Sequence, residues 1–235
     1  DDDGRNEIPF SEDGNVKLAD QGGIEKLATG AKSGQNKNAN LWAGRFNGTE
    51  PAVYFTQQNN ITRVNSSENV TEVYASGNTD IVGGVGDVDP TQDGDELVLS
   101  RWGELGYKPV SGSFEKSTSS FSPGDQDSLG QPADFNDDGV ARVPIVDGSS
   151  DLRLVNLSNG EASDKLENNS NDLKNSPIAS LDYDTDGLPE VVYVSDSGKI
   201  KYIDGLENSS TGNVKNVTDG NGDPVEVSDT TAGVA

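Results

Sequence analysis

The stretch "LDYDTDGLPEVVYV", residues 181–194, places three alternating aspartates directly before a run of apolar, mostly β-branched residues. Asp182, Asp184 and Asp186 are followed by a glycine and then by Glu190, which opens the apolar run. Alternate side chains in a tight loop turn the same way, and glycine permits the sharp backbone turn that such a loop needs. These residues therefore predict a metal-binding loop that leads into a buried β-strand.

The same pattern recurs along the whole chain. Residues 87–99 read "DVDPTQDGDELVL", residues 134–146 read "DFNDDGVARVPIV", and the chain opens with "DDDGRNEIPF". A weaker copy, "GRFNGTEPAVYF", covers residues 44–55. The central glycines of these stretches are Gly4, Gly48, Gly94, Gly139 and Gly187. Successive members are 44, 46, 45 and 48 residues apart, a nearly constant period that is typical of propeller blades of about 40–50 residues.

This period divides the chain into five units, at about 1–42, 43–83, 84–130, 131–178 and 179–235. In each unit a hairpin follows the acidic loop, as "EVVYV", "SDSG" and "KIKYID" show in the fifth. We therefore predict an all-β fold, a single β-propeller domain of about five four-stranded blades. The last residues, "TTAGVA" at 230–235, match "SPIASL" at 176–181, so five blades could close. Because Met is absent, we expect a processed chain or part of a longer one.

The composition excludes several classes of function. Cys and His are both absent, which excludes disulfide bonds, thiolate chemistry, Ser-His-Asp hydrolysis and histidine-bound zinc. The net charge is −24, from 41 acidic and 17 basic residues, and such a surface repels nucleic acid and anionic membranes. No apolar run approaches the roughly 20 residues that span a membrane. Because the carboxylates are spread along the whole chain, we predict the solvated surface of a halophilic protein.

Carboxylate-rich loops suit calcium, which takes roughly six to eight oxygen ligands. In the fifth loop, residues 182–190, the candidate ligands are Asp182, Asp184, Asp186, Glu190 and the carbonyl group of Leu188. In the third loop, residues 87–96, they are Asp87, Asp89, Asp93 and Glu96, with one extra residue in the loop. In the first loop, residues 1–7, they are Asp1, Asp3 and Glu7.

The remaining two loops depart from this pattern. The fourth loop, residues 134–142, offers Asp134, Asn136 and Asp138, but Arg142 stands where the fifth loop has Glu190. We therefore expect weak metal binding or none in the fourth loop. The second loop, with Asn47 and Glu50, is expected to be metal-free.

The stretches "DYDTDGLPEVVYV" and "DVDPTQDGDELVL" resemble the calcium loops of FG-GAP/VCBS-type repeats, the family that includes the propeller of the integrin α-subunit. The resemblance is strong in the third and fifth units, moderate in the first and fourth, and weak in the second. It implies a β-propeller with Ca²⁺-braced loops, and the acidity makes the chain similar to haloarchaeal-type surface proteins. Members of the family serve in adhesion, as accessory domains of secreted enzymes and as structural modules, so the resemblance implies no enzymatic activity.

Eight Asn-X-Ser/Thr sequons occur, more than the composition alone predicts. They lie at Asn47, Asn60, Asn65, Asn69, Asn156, Asn168, Asn208 and Asn216. They indicate N-glycosylation of an exported protein. A loop composition rich in Ser and Asn is the alternative interpretation.

We therefore expect an extracellular or cell-surface, calcium-stabilised propeller that acts as a non-catalytic binding, adhesion or structural module of a halophile. Its partner would be a protein or glycan at the cell surface, or another copy of itself. Paired carboxylates can hydrolyse glycosides, but a calcium loop or a solvated surface explains each cluster here more simply. Two alternatives stay open: an accessory domain of a larger secreted enzyme, and a subunit of an extracellular filament or virion.

Overall fold

The computed structural model describes most of the chain between residues 8 and 226. The described residues are 8–12, 15–20, 23–29, 41–46, 52–57, 60–65, 70–75, 79–91, 94–101, 103–118, 128–146, 151–163, 165–166, 178–195, 197–206, 212–219 and 221–226. They form strands and loops only, which confirms the predicted all-β class. Within these ranges, no helix is long and apolar enough to cross a membrane.

The strands form five small antiparallel sheets, in each of which every strand pairs with its neighbour in sequence. The first sheet contains β1 (Ile8–Glu12), β2 (Asn15–Asp20) and β3 (Gly23–Thr29). The second contains β4 (Leu41–Gly44), β5 (Ala52–Gln57), β6 (Asn60–Asn65) and β7 (Val70–Ala75). The third contains β8 (Thr79–Gly86), β9 (Glu96–Arg101), β10 (Glu104–Lys108) and β11 (Glu115–Lys116).

The last two sheets continue the same order. The fourth contains β12 (Ser128–Leu129), β13 (Val143–Val146) and β14 (Leu152–Val155), and the fifth contains β15 (Ile178–Leu181), β16 (Glu190–Val194), β17 (Ile200–Asp204) and β18 (Asn213–Asn216). Residues 161–163 and 165–166 extend the fourth sheet beyond β14, because the Ser163 amide donates to the Leu154 carbonyl at 2.8 Å and the Leu166 amide donates to the Leu152 carbonyl at 2.9 Å. These residues thus form an irregular fourth strand at the edge of the fourth sheet.

Each acidic loop of the third, fourth and fifth sheets joins the first strand of its sheet to the second. The predicted unit boundaries at 42/43, 83/84 and 178/179 fall within β4, β8 and β15, and the boundary at 130/131 falls just after β12. The sheets therefore follow the predicted repeat, except that each first strand lies before its acidic loop. These first strands carry little signal in the sequence because they are short or rich in glycine, as in "DIVGGVG".

The core lies between consecutive sheets, and β9 shows how the sequence produces it. Leu97 and Leu99 pack against the second sheet, in a cluster with Tyr54. Val98, on the opposite face, packs against the fourth sheet in a cluster with Ile145. Successive side chains of a strand point to opposite faces, so a strand that is buried on both faces reads as a continuous apolar run. This explains the run "ELVLS".

A third cluster joins the fourth and fifth sheets in the same way. Val191 and Tyr193 of β16 pack with Phe135, Leu152 and side chains near them. Burial of each such side chain stabilises the fold by about 1.5–3 kcal/mol. The second to fifth sheets are therefore stacked face to face in the order of the sequence.

The first strands of consecutive sheets approach one another so closely that only glycine fits. A Cβ atom at Gly44 of β4 would lie 2.7 Å from the Cβ atom of Val85 of β8, a distance that side chains do not adopt. The corresponding close pairs between the next sheets are Gly83 with Leu129 and Gly130 with Ile178, each at 2.9 Å. A side-chain hydrogen bond adds to the last contact, from the Ser180 hydroxyl to the Gln131 carbonyl at 2.6 Å. The closure of this row into a ring stays a prediction.

Replacing Leu99 with alanine should lower the free energy of unfolding by about 2–5 kcal/mol, because it leaves a cavity between two sheets. Leu99 is fully buried. The measurement is urea unfolding at constant salt and calcium concentration. Val214→Ala is the matched control, because Val214 is 42% exposed on the edge strand β18, and it should change stability by less than about 0.5 kcal/mol. Equal effects of the two variants would contradict the packing of the second sheet on the third.

Candidate metal-binding loops

The fifth loop, between β15 and β16, brings three of its predicted ligands together. Oxygen atoms of Asp182, Asp184 and Glu190 all lie within 4.8 Å of one another. The two aspartates are exposed, whereas Glu190 begins β16 and is only 3% exposed. A buried carboxylate below and two exposed carboxylates above thus converge on one point, as a divalent cation requires.

The backbone of the fifth loop holds the aspartate side chains in place. The Gly187 amide donates to Asp182 Oδ2 at 3.1 Å, and the Leu188 amide donates to Asp186 Oδ1 at 2.8 Å. Gly187 has a φ of 97°, and Thr185 has a φ of 65°, which is a left-handed conformation that β-branched residues rarely adopt. Asp186 is therefore engaged with the loop backbone, and its carboxylate is not part of the converging triad.

Glu190 is the buried anchor of the fifth loop. Its Oε2 atom accepts a hydrogen bond of 2.6 Å from the Tyr183 amide. Burial raises the pKa of the Glu190 carboxyl group, and the negative charges of Asp184 and Asp186 raise it further. Ionised Glu190 is thus costly in the metal-free loop, and a bound cation would remove that cost.

The third loop repeats the buried glutamate of the fifth, but its described carboxylates, Asp87, Asp89 and Glu96, do not converge within 4.8 Å as the triad of the fifth loop does. Glu96 begins β9, is fully buried, and accepts hydrogen bonds at Oε2 from the amides of Val88 (3.0 Å) and Asp89 (3.1 Å). Its other oxygen, Oε1, is buried and has no hydrogen-bond partner among the described residues. Burial raises the pKa of Glu96 to about 7, and the charges of Asp87 and Asp89 contribute to this increase. A buried carboxylate oxygen without a partner is rare, and a cation is the partner that suits it.

Asp89 is the second buried carboxylate of the third loop and is only 7% exposed. Its Oδ1 atom accepts from the Thr91 amide at 3.0 Å and from the Thr91 hydroxyl at 2.6 Å. Its Oδ2 atom accepts from the Tyr107 hydroxyl at 2.9 Å. The Tyr107 hydroxyl also lies 3.1 Å from Glu115 Oε2, and burial together with these carboxylates raises the pKa of Tyr107. Tyr107 thus positions a predicted ligand, although no motif in the sequence indicates this role.

The structure describes one of the other two predicted ligands of the third loop. Asp87 is exposed as a residue, but its carboxyl group is partly shielded from water. This partial burial, together with the charges of Asp95 and Asp89, raises the pKa of Asp87. Asp93 lies outside the described residues. The third loop therefore has two buried carboxylates in place, and the fifth has one.

The fourth loop has the same backbone design as the fifth. The Gly139 amide donates to Asp134 Oδ2 at 2.7 Å, and the Val140 amide donates to Asp138 Oδ1 at 3.0 Å. Asp137 has a φ of 54° and Gly139 a φ of 77°, which match the positive φ angles of the fifth loop at the equivalent positions. Residues that lie 48 positions apart in the sequence therefore have equivalent hydrogen bonds and backbone angles in the two loops.

Arg142 distinguishes the fourth loop chemically. Its Nη1 atom donates to Asn136 Oδ1 (2.6 Å) and to the Val140 carbonyl (3.0 Å). Bonds from Nη1 and Nη2 also reach the two carboxylate oxygens of Asp138, at 3.1 and 2.6 Å. The hydrogen bonds from Arg142 hold the pKa of Asp138 well below its usual range. Two of the three predicted ligands of this loop, Asn136 and Asp138, are thus bound to a guanidinium group, whereas Asp134 accepts hydrogen bonds from loop amides.

The remaining predicted site residues are placed only in part. Outside the described residues lie Asp1, Asp3, Glu7, Asn47, Glu50, Asn69, Asn168 and Asn208, and also the C-terminal match at 230–235. Among the described sequons, Asn216 is exposed on β18, whereas Asn60 and Asn65 are half-buried on β6. Asn156 is 9% exposed and its Oδ1 atom accepts from the Ser158 amide at 2.9 Å, so the folded chain offers it poorly to a glycan.

A cleft of about 380 Å³ lies beside the fourth loop, with Phe135, Arg142 and Leu206 among its lining residues. Its polar walls are bonded within the protein. Arg142 bonds to Asp138, and Asn156 bonds to Ser158. The cleft therefore adds no converging charged groups to those of the loops.

The sequence matches no protein-family model and no curated protein. The similarity to FG-GAP/VCBS-type repeats therefore stays a resemblance that rests on the loop sequences.

In chelator, the stability of the protein should fall as the pH rises, because folded Glu96 holds its proton more tightly than unfolded Glu96. The proton on Glu96 stabilises the folded chain in full below a pH of about 4.5, and this stabilisation is lost as the pH rises through about 7. It amounts to at most about 3 kcal/mol. Glu96→Gln keeps the shape without the charge, so urea unfolding at several pH values should show a flatter pH dependence than in the wild type. Parallel pH profiles would show that ionised Glu96 costs nothing in the folded chain.

Proposed function

We propose that this chain is a calcium-stabilised β-propeller that serves as a non-catalytic binding, adhesion or structural module at the surface of a halophile. The observation that supports it most is the buried Oε1 atom of Glu96 in the third loop, which has no hydrogen-bond partner in the part of the chain that the structure describes. The triad of Asp182, Asp184 and Glu190 in the fifth loop supports it independently. Both glutamates begin the second strand of their sheets, so one design occurs twice.

Calcium fits these loops better than other common metal ions. The available ligands are carboxylate and carbonyl oxygens, and the chain has no His or Cys to offer to zinc or copper. Magnesium requires near-octahedral geometry at short distances, whereas calcium accepts irregular loops with roughly six to eight oxygens. The third loop, which has one more residue than the fifth, would still accommodate calcium.

Calcium would act on the fold through charge neutralisation. The loops cross from the first strand of a sheet to the second, where neighbouring sheets approach at the glycine contacts. A net charge of −24 makes each additional buried carboxylate costly. A divalent cation in each loop would neutralise the carboxylates where the sheets meet and thereby hold the stack together.

The stacking of sheets in sequence order supports closure into a propeller of five blades. The described carboxylates of the third and fifth loops are held by loop amides and neighbouring hydroxyl groups, which supports a role in structure over catalysis. Exposed calcium loops of extracellular modules commonly bind with dissociation constants of about 10⁻⁴–10⁻³ M, which suits a secreted or cell-surface protein. The partner would be a protein, a glycan or a second copy of the chain.

Calcium should stabilise the folded chain against urea by about 2.7 kcal/mol per site at a hundredfold excess over the dissociation constant. The measurement compares calcium with chelator at constant molar salt, so that general screening is the same in both. Glu96→Gln and Glu190→Gln should each remove part of the stabilisation that calcium provides, and the two together should remove most of it.

Glu104→Gln is the matched control, because Glu104 is an exposed carboxylate whose partner is Lys116. It should keep the full calcium effect. Equal stability of the wild type in calcium and in chelator would rule out the proposed function.

Two tyrosines should report metal binding by luminescence of Tb³⁺, which shares the oxygen chemistry of Ca²⁺. Tyr107 donates to Asp89, and Tyr183 lies between two predicted ligands in the sequence. Tyr107→Phe and Tyr183→Phe should each reduce the tyrosine-sensitised emission at saturating Tb³⁺, and added Ca²⁺ should abolish it. Glu96→Gln and Glu190→Gln are the controls, because each keeps every tyrosine while altering one proposed site, and each should also reduce the emission. Emission that is unchanged in both glutamine variants would show that terbium does not bind at these loops.

A further inference from the structure

Arg142 occupies the backbone position that glutamate occupies in the third and fifth loops. It pairs with Ala133 through two hydrogen bonds of 3.0 and 2.8 Å, immediately before β13. Glu190 pairs with Leu181 at the equivalent place in the fifth sheet. The side chains of Arg142 and Glu190 therefore start from the same point relative to their loops.

The Arg142 guanidinium binds groups at three of the positions that supply predicted calcium ligands in the fifth loop. Its partners are Asn136 Oδ1, both carboxylate oxygens of Asp138 and the carbonyl oxygen of Val140. In the fifth loop the equivalent positions are Asp184, Asp186 and Leu188, all of which are predicted calcium ligands. One planar cation thus engages a side-chain amide, a carboxylate and a backbone carbonyl of the same loop.

The charges of the two loops fit these two kinds of cation. At its four side-chain ligand positions the fifth loop carries four carboxylates. The fourth loop carries two carboxylates, one amide and the positive charge of Arg142 at the same positions. A divalent ion would meet little net negative charge there and would have to displace a guanidinium group that stays protonated at all ordinary pH values.

We propose that Arg142 is a resident cation that closes the fourth loop as calcium closes the third and fifth. The guanidinium fixes the loop at any calcium concentration and excludes divalent ions from it. This inference rests on the proposed function of the other two loops. The loop of the fourth sheet would then keep its structure without calcium. The fourth sheet packs against the third and the fifth, whose loops would depend on calcium.

Counting bound calcium by native mass spectrometry tests the exclusion. The double variant Asn136→Asp with Arg142→Glu recreates the ligand set of the fifth loop and should bind one Ca²⁺ more than the wild type. Adding Asp138→Asn to it should weaken or abolish the extra site. Lys116→Glu is the control for the reversal of charge, because Lys116 is exposed on β11, and it should bind the same number of ions as the wild type.

Amide hydrogen exchange in the wild type tests the same inference without a variant. The amides of Gly139 and Val140 should exchange equally fast in calcium and in chelator, whereas those of Gly187 and Leu188 should exchange faster in chelator. Faster exchange at Gly139 and Val140 in chelator would overturn the inference. So would a double variant that folds and binds no additional ion.

The two proposals fail in different ways. If the wild type binds no calcium and no loop amide responds to chelator, the proposed function fails and the inference loses its basis. If Glu96→Gln and Glu190→Gln each lose one bound ion but the double variant gains none, only the role of Arg142 is overturned.

Discussion

The structure depends on one electrostatic constraint, a carboxylate buried at the start of the second strand beneath an acidic loop. In the third sheet Glu96 is fully buried, and only one of its oxygens is hydrogen-bonded. Two amides of the preceding loop bind that oxygen, so the glutamate ties the loop to the strand. Burial of an ionised group without a counter-charge is costly, and the cation that we propose at the junction of loop and sheet would remove that cost.

The three described acidic loops supply different charges at the start of the second strand. The third and fifth loops combine a buried glutamate with aspartates, a ligand set that suits a divalent ion. The fourth loop keeps the hydrogen bonds and the positive φ angles but supplies its positive charge from Arg142. We propose that the same backbone accepts either kind of cation, because loop amides bind the aspartates in both the fourth and the fifth loop. In a chain with 41 acidic residues, local neutralisation matters most where sheets meet at the glycine contacts.

The sequence predicts the all-β class and the strands that follow the acidic loops, because those features depend on neighbouring residues. The run at β9 and the one at β16 are apolar and follow an acidic loop, so both the strand and the ligand pattern are visible. The first strands are harder to predict, since β8 contains glycines that are required by contact with another sheet. Tyr107 is not predicted, because its hydrogen bond to Asp89 joins residues that are distant in the sequence. Arg142 is visible as a departure, but only the geometry shows what it binds.

A crystal structure of the protein in calcium, with anomalous data to identify the ions, would show whether cations occupy the third and fifth loops. We expect a calcium ion about 2.3–2.6 Å from carboxylate oxygens of Glu96 and another at the same distance from Glu190. We expect none within the fourth loop, where the guanidinium of Arg142 should remain bonded to Asp138. Glutamates in contact only with protein or water at saturating calcium would contradict calcium binding at these loops.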